Sequence, residues 1–432
     1  LFSLDQGDLK MRHKIILISA FLITGGLALA EEWPAWRGPR GDGISSEKNL
    51  PLKWGKSENI RWKTPIPGKG HSSPIVINDR IFLSTCVEDK HERRLISIDR
   101  NSGKVLWDKP LLVSDLEKKH GENSFSSATP ASDGKHLWVS FMDFPAVRLF
   151  CYDLDGNKVW EQSPGKLLSR HGFCSSPVLH KDIVILNCDQ DSDGYIVAYE
   201  KNSGKEKWRV ERPNKTRSYC TPVLIQTEKF PGVTQLVLSG SKCVTGYDAD
   251  NGKLLWIIDG PTEQYVASLV FLDQILFLST GFPEYHLMGI NPDGRGNVTK
   301  SHVVWHIPHK ENGPKGASYV PSPIAHDGHF YVVSDTGYLG CIESKTGKRL
   351  WMEKLGKKHH ASIVYGDGKF YIADDDGNTW VVKASPKFEI LSKNELGEMC
   401  YASPAISKGE IFIRTWNSLY CISDKNSSAS AK

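Results

Sequence analysis

Asp99-Arg-Asn-Ser-Gly103-Lys-Val-Leu-Trp107 is the stretch on which the fold turns. An acid opens a tight turn, a glycine closes it, and a tryptophan follows on an extended run. The same spacing returns at Glu200…Gly204…Trp208, Asp248…Gly252…Trp256 and Glu343…Gly347…Trp351. Asp153…Gly156…Trp160 is one residue shorter, and Asn291…Trp305 carries an insertion. A phrase repeated at fixed offsets predicts stacked copies of one supersecondary unit.

A second phrase precedes each copy. It reads Ser72-Ser73-Pro74, Ala128-Thr129-Pro130, Ser175-Ser176-Pro177, Cys220-Thr221-Pro222, Ala267-Ser268-Leu269, Pro321-Ser322-Pro323, Ala361-Ser362-Ile363 and Ala402-Ser403-Pro404. Between the phrases, β-branched and aromatic runs alternate with turns such as His326-Asp327-Gly328 and Asp335-Thr336-Gly337, which are hairpin signals. Helical periodicity is nearly absent, with at most one turn near 116–120. Four strands per repeat at a period of roughly 40–56 residues predict an all-β, eight-bladed β-propeller of four-stranded blades. The last copy ends without a tryptophan strand, whereas Glu58-Asn-Ile-Arg-Trp62 precedes any complete blade. The N-terminal strand should therefore complete the last blade and close the ring. The seventh repeat carries Lys383 in place of the acid and no tryptophan after it, so seven blades is the alternative count.

Seven tryptophans are expected to dock between blades: Trp62, Trp107, Trp160, Trp208, Trp256, Trp305 and Trp351. Cys151, Cys341 and Cys421 share one slot of the repeat with Ser97, Ala198 and Gly246, so that slot asks for a small residue. The nine cysteines are odd in number and do not read as a disulfide framework.

Met11-Arg-His-Lys14, an apolar run over 15–29 and Ala28-Leu-Ala30 predict a secretory signal peptide over 11–30, with 1–10 as upstream translated residues. That places a single propeller at 31–424, a disordered tail at 425–432, and the protein in the periplasm or outside the cell. Lys and Arg number 54 against 50 Asp and Glu, too balanced for a nucleic-acid footprint. No later stretch is long and apolar enough to span a bilayer.

The acid–glycine–tryptophan phrase resembles the tryptophan-docking repeat of pyrroloquinoline-quinone (PQQ) propeller proteins. The chain is similar to a group of secreted bacterial PQQ-like propellers through Trp33-Pro-Ala-Trp36-Arg-Gly-Pro39, Asn59-Ile-Arg-Trp62-Lys-Thr-Pro65 and Gly70-His-Ser-Ser-Pro74. The outer-membrane assembly lipoprotein propeller shares this fold. The resemblance implies a fold rather than a chemistry. The alcohol dehydrogenases of the superfamily use a Cys-Cys pair beside the quinone, a bound Ca²⁺ and an Asp base, and this sequence has no Cys-Cys pair.

Two sites stand out. Asp189-Gln-Asp191-Ser-Asp193-Gly194, followed by Glu200, fits a calcium-loop pattern of hard oxygen donors at alternate positions, with Asp189, Asp191, Asp193 and Glu200 as candidate metal ligands. A polar hairpin turn is the other reading. Residues just before the Ser-Ser-Pro phrases should converge on a central funnel: His71, His171, Tyr219, Tyr319, His359, His360 and Tyr401. The loop at 118–124 should lie near its mouth. Gly38-Pro-Arg-Gly41-Asp-Gly43 lacks the strand, helix and lysine of a phosphate loop. The functional expectation is an exported, monomeric, non-catalytic binding or assembly scaffold for a protein, peptide or glycan of the cell envelope. It would need no PQQ and no nucleic acid, with Ca²⁺ as its one candidate ion. The alternatives are a PQQ- and Ca²⁺-dependent oxidoreductase, and a hydrolase or lyase acting through His71, His171 or His359.

Overall fold

A computed structural model describes residues 31–424. The stretches expected to be a signal peptide (11–30), upstream translated residues (1–10) and a tail (425–432) lie outside the described residues. Eight antiparallel sheets follow one another along the chain. We number the blades 1 to 8: residues 75–113, 131–166, 178–211, 223–259, 270–307, 324–354, 364–395 and 405–422. The eighth has three strands of its own and borrows Ile60–Pro65, which pairs with Ser418–Ile422 in the register Trp62↔Cys421 and Pro65↔Ser418. The protein is an eight-bladed propeller closed by its N-terminal strand.

Two departures from the expected pattern come from one insertion and one loop. The residues added between Asn291 and Trp305 supply Gly296–Asn297, a fifth strand lying parallel to the Trp256 strand of blade 4. A short helix at His309–Gly316 was not legible, because Gly313 and Pro314 inside it break any helical pattern. The stretch near 116–120 holds no helical turn.

Each tryptophan strand pairs so that the indole lies opposite the small slot. The pairs are Trp107↔Ser97, Trp160↔Cys151, Trp208↔Ala198, Trp256↔Gly246, Trp305↔Gly289, Trp351↔Cys341 and Trp62↔Cys421. A larger residue there would collide with the ring across the strand pair. The indole then reaches to the next blade. Nε1 donates to the turn carbonyls of Arg100 from Trp62 (2.9 Å), Leu154 from Trp107 (3.0 Å), Lys201 from Trp160 (2.7 Å) and Ser344 from Trp305 (2.7 Å). The turn glycine is required twice over. Gly347 has φ +73°, and a Cβ there would stand 2.6 Å from the Trp305 ring. Gly103 beneath Trp62 and Gly204 beneath Trp160 repeat the arrangement.

The docking tryptophans do not all behave alike. Trp256 is fully buried and donates to Gln235 Oε1 of its own blade at 2.6 Å, because the extra strand occupies its outer side. Trp208 packs on Gly252 with no hydrogen-bond partner for Nε1. Blade 7 has no such glycine turn, so Trp351 donates to Pro386 O (2.8 Å) and packs on Phe388.

The hydroxyls of the second phrase link the blades at the axis. Ser73 N–H donates to Thr129 Oγ1, Thr129 to Ser176, Ser176 to Thr221 and Thr221 to Ser268. Ser268 donates to Ser322, Ser322 to Ser362, Ser362 to Ser403 and Ser403 back to Ser73. All eight contacts measure 2.9–3.1 Å, and together they form a closed circle. This accounts for the copies that lose proline yet keep serine. The nine cysteines are unpaired, and all but Cys174 are buried.

Ser322→Ala should leave the buried Ser268 N–H without an acceptor and lower stability by about 1–3 kcal/mol in urea denaturation. Gly347→Ala should cost about 1–4 kcal/mol, from strain at positive φ plus collision with Trp305. A loss below about 0.5 kcal/mol in either variant would contradict the roles assigned to the circle and the glycine.

Candidate functional site

The starts of the innermost strands converge on one face around a cavity of about 480 Å³. Its floor is made by the hydroxyl circle, with Ser73, Ser176, Thr221, Ser322, Ser362 and Ser403 in the lining, and by Trp36. The N-terminal segment explains Trp36. Trp33 bridges to Val76 of blade 1, Pro34 O accepts from Ser132 N of blade 2, Arg37 donates to Pro323 O, and Gly43 and Ser45 bond Tyr365 of blade 7. Tied to opposite sides of the ring, this glycine-rich stretch crosses the channel and makes the cavity blind. The glycines permit the turns of that crossing, with φ of +80°, +69° and +82° at Gly38, Gly41 and Gly43.

Six of the seven residues expected in the funnel line the cavity: His71, His171, Tyr219, Tyr319, His360 and Tyr401. His359 does not. It is fully buried behind the wall, with Nδ1 2.9 Å from Ala373 O. Two adjacent residues cannot both face the axis from an extended strand start, and His360 takes the inward place. The 118–124 loop contributes His120, Glu122 and Asn123 to the lining. Reading the sequence missed Trp36, Gln264, Tyr285, Asp335 and Lys358 as cavity residues. Asp335 was visible only as the acid of a hairpin turn.

The ionisable groups of the wall are mostly engaged with one another. Glu122 pairs with Lys358, in the loop before blade 7, and lies 3.5 Å from His360, whose other ring nitrogen is 2.8 Å from Asp375. Asp335 accepts from Tyr319 N (2.6 Å) and Val320 N (3.0 Å), while its burial pushes the carboxyl upward. Burial drives the Cys174 thiol up to about 12. His71 differs, because its Nε2 is buried and has no hydrogen-bond partner. Burial first, then the nearby Arg414, His360 and Lys119, lower its pKa to about 3. Tyr401 and Trp416 flank the ring at 4.8 and 5.8 Å.

The four acids of the calcium-loop pattern lie in blade 3 and the loop and turn beside its strands. Asp189 is buried in an ion pair with Arg212 (2.9 Å), Asp191 pairs with Arg217 (2.6 Å), and Asp193 pairs with Lys215 at the surface (2.7 Å). Glu200 holds Ser203 in the neighbouring turn. Each Asp faces its own base and Glu200 a hydroxyl, so the alternate oxygens are turned toward different partners. Among the described residues no group of three His, Cys, Asp or Glu is placed to hold an ion.

With fold and site in hand, comparison with known proteins defines the class. The family described as "Outer membrane protein assembly factor BamB" matches residues 91–270 and 297–387, well over half of the chain. The chain belongs to this family of PQQ-like propellers. A curated relative, outer membrane protein assembly factor BamB of Yersinia pestis, is 20% identical over 322 residues, 73% of this chain and 66% of that protein. The chain thus spans just under two thirds of that relative's length. Among solved structures, BamB from Moraxella catarrhalis matches with a TM-score of 0.58 at 10% identity, covering 85% of this chain and 97% of that one. A europium-containing methanol dehydrogenase matches at 0.65 and 11% identity, over 91% and 98% of the two chains. Quinohemoprotein alcohol dehydrogenase from Comamonas testosteroni matches at 0.66 and 12%, over 90% and 80%. At these identities the structural likeness speaks for the fold alone.

Two outcomes follow from the site. The folded His71 pKa lies below that of the unfolded imidazole, so the unfolded chain binds the extra proton and stability falls as pH drops from about 6.5 toward 3. His71→Phe should flatten that part of the stability–pH curve, and an unchanged slope would show that His71 does not drive it. Asp189→Ala should destabilise by about 3–5 kcal/mol by stranding Arg212, equally with and without Ca²⁺. A Ca²⁺-dependent gap between parent and variant would restore the metal reading.

Proposed function

We propose that this protein is an exported, non-catalytic binding and assembly scaffold of the cell envelope, working as a monomer. It receives a protein or peptide partner, or a glycan, on the face that opens into the funnel. The observation that carries the reading is the engagement of the funnel's acids and bases. Glu122, His360, Asp335 and the neighbouring Asp191 each hold another part of the wall, and His71 is kept neutral. A general base or nucleophile needs a partner arranged for proton transfer to substrate, and these groups are arranged for rigidity. The family's description, an outer membrane protein assembly factor, supports the same class of role. Among the described residues no helix is long and apolar enough to cross a membrane.

A quinoprotein oxidoreductase is the second reading, favoured by the Trp36 ring at the base of the cavity. Two features count against it. Cys174 is the single cysteine of the cavity wall, and its carboxylates are committed elsewhere rather than gathered for Ca²⁺. The proposal therefore includes no PQQ and no Ca²⁺.

Photo-crosslinking in cells tests the docking face. With benzoylphenylalanine at Phe282, an exposed residue of the funnel lining, a discrete envelope-protein adduct is expected. With the same residue at Lys135 or Glu228, in turns of the opposite face, none is expected. Adducts from the opposite face alone would reverse the assignment. Titration with PQQ in excess Ca²⁺, followed by tryptophan fluorescence, should show no saturable binding; micromolar saturation would restore the oxidoreductase.

A further inference from the structure

The connection between blades 1 and 2, residues 114–130, is anchored at two roots and exposed between them. At the first root the buried Arg93 donates to Ser114 O (2.6 Å) and Asp115 O (3.2 Å) and pairs with buried Glu117. At the second, Ser124 is buried and its Oγ accepts from His71 N (3.1 Å), while Ser126 O accepts from His71 N and Ser72 N. The six residues from Lys118 to Asn123 differ from both roots. None of them is buried, and a Cβ added at Gly121 would meet nothing within 4 Å. A segment with few buried contacts between two firm anchors opens locally while the ring stays folded.

This tip touches the ring at two opposite places. On one side His120 N and Asn123 Nδ2 donate to His171 O (3.3 and 2.6 Å), in the connection between blades 2 and 3. The next residue, Gly172, has φ +85°, and a Cβ there would stand 2.9 Å from Asn123 Nδ2, so the close seat needs glycine. On the other side Glu122 pairs with Lys358 and lies 3.5 Å from His360, both in the connection between blades 6 and 7. In a ring of eight these two gaps are four blades apart, which is a full diameter. His120, Glu122 and Asn123 line the cavity whose floor holds Trp36. The two seats also differ in kind. The first is made of hydrogen bonds to a backbone carbonyl. The second rests on side chains, and the members of its ion pair are 45% and 42% exposed, so it holds only weakly.

We propose that residues 118–123 are a strap across the funnel mouth, which opens when Glu122 leaves Lys358 and His360. The roots at Glu117 and Ser124 stay in place, and the tip swings back toward blades 2 and 3, where its backbone contacts already lie. His360 keeps its bond to Asp375 (2.8 Å) when the strap lifts, so the wall behind it stays ordered. Small solutes pass the bar as it stands, whereas a bulky molecule enters only while the strap is open. The inference concerns access to the funnel and does not depend on what docks there.

Thiol labelling of the full chain reads the opening. Val266 lines the cavity from the connection before blade 5 and is half-buried. Val266→Cys would be placed in a Cys174→Ser background, because the other native cysteines are buried. It would be labelled with N-methylmaleimide and with a poly(ethylene glycol) maleimide, each rate taken relative to free cysteine. In the parent the bulky reagent should lag well behind the small one. Glu122→Gln and Lys358→Gln should each raise the bulky-to-small ratio about two- to fivefold, the range that an exposed pair commands. High salt should do the same to the parent and leave Glu122→Gln unmoved. Amide exchange over 118–123 should quicken by a similar factor in Glu122→Gln, with the strands of blades 1, 2 and 7 unchanged. A parent ratio near one, or a ratio that neither substitution nor salt moves, would overturn the strap. So would exchange quickening in those strands, because the pair would then be holding blades together. Should Val266→Cys fail to fold, Val320→Cys, also in the lining and half-buried, takes its place. The crosslinking pattern judges the docking face separately.

Discussion

A ring of blades holds only if its first and last members meet, and here the meeting is made twice. At the rim, the Ile60–Pro65 strand completes the last blade. At the axis, eight backbone N–H groups each find the hydroxyl of the next blade, and the last returns to Ser73. The hydroxyl circle is the tighter constraint. It orders the starts of all eight inner strands at one radius, and the funnel is built from those starts. The tryptophans act farther out, filling the wedge between blades and bonding to the next turn. Their glycines are therefore packing residues as much as turn residues.

A blind funnel follows from adding one segment to that ring. The channel of a propeller is open at both faces until something crosses it. The Trp33–Ser45 stretch does so with backbone bonds to opposite blades, setting Trp36 under the cavity. The price is two buried arginines, Arg37 and Arg414, without carboxylates, in a wall whose other ionisable groups neutralise one another. Such an imbalance is specific to this site, since buried arginines elsewhere in the ring are paired.

The repeat made most of this architecture legible. Strand alternation, turn glycines and the spacing to tryptophan are local, so they survive in a single sequence and gave eight blades and the closing strand. The small slot was legible too, though its cause, the indole across the strand pair, was not. Trp256 still packs with the next blade, but an insertion elsewhere supplied a strand beside it, and its Nε1 donates within its own blade. The partners of the calcium-loop acids were not legible either. Asp189, Asp191 and Asp193 have the right spacing, yet each turns toward a base brought by the next strand or loop, Arg212, Arg217 or Lys215.

The division has a physical basis. Sequence by itself determined what depends on neighbours along the chain: the strands, their turns, the repeat count, the hydroxyl at every inner strand start, and the histidine or tyrosine beside most of them. Tertiary structure decided what depends on neighbours across the ring: that His360 faces the funnel and His359 does not, that Trp36 forms the floor, and that Glu122 meets Lys358 from a distant blade. It also decided which buried charges have partners. An arginine reads the same in a sequence whether or not a carboxylate waits for it, because the pairing exists only after residues hundreds of positions apart are folded together.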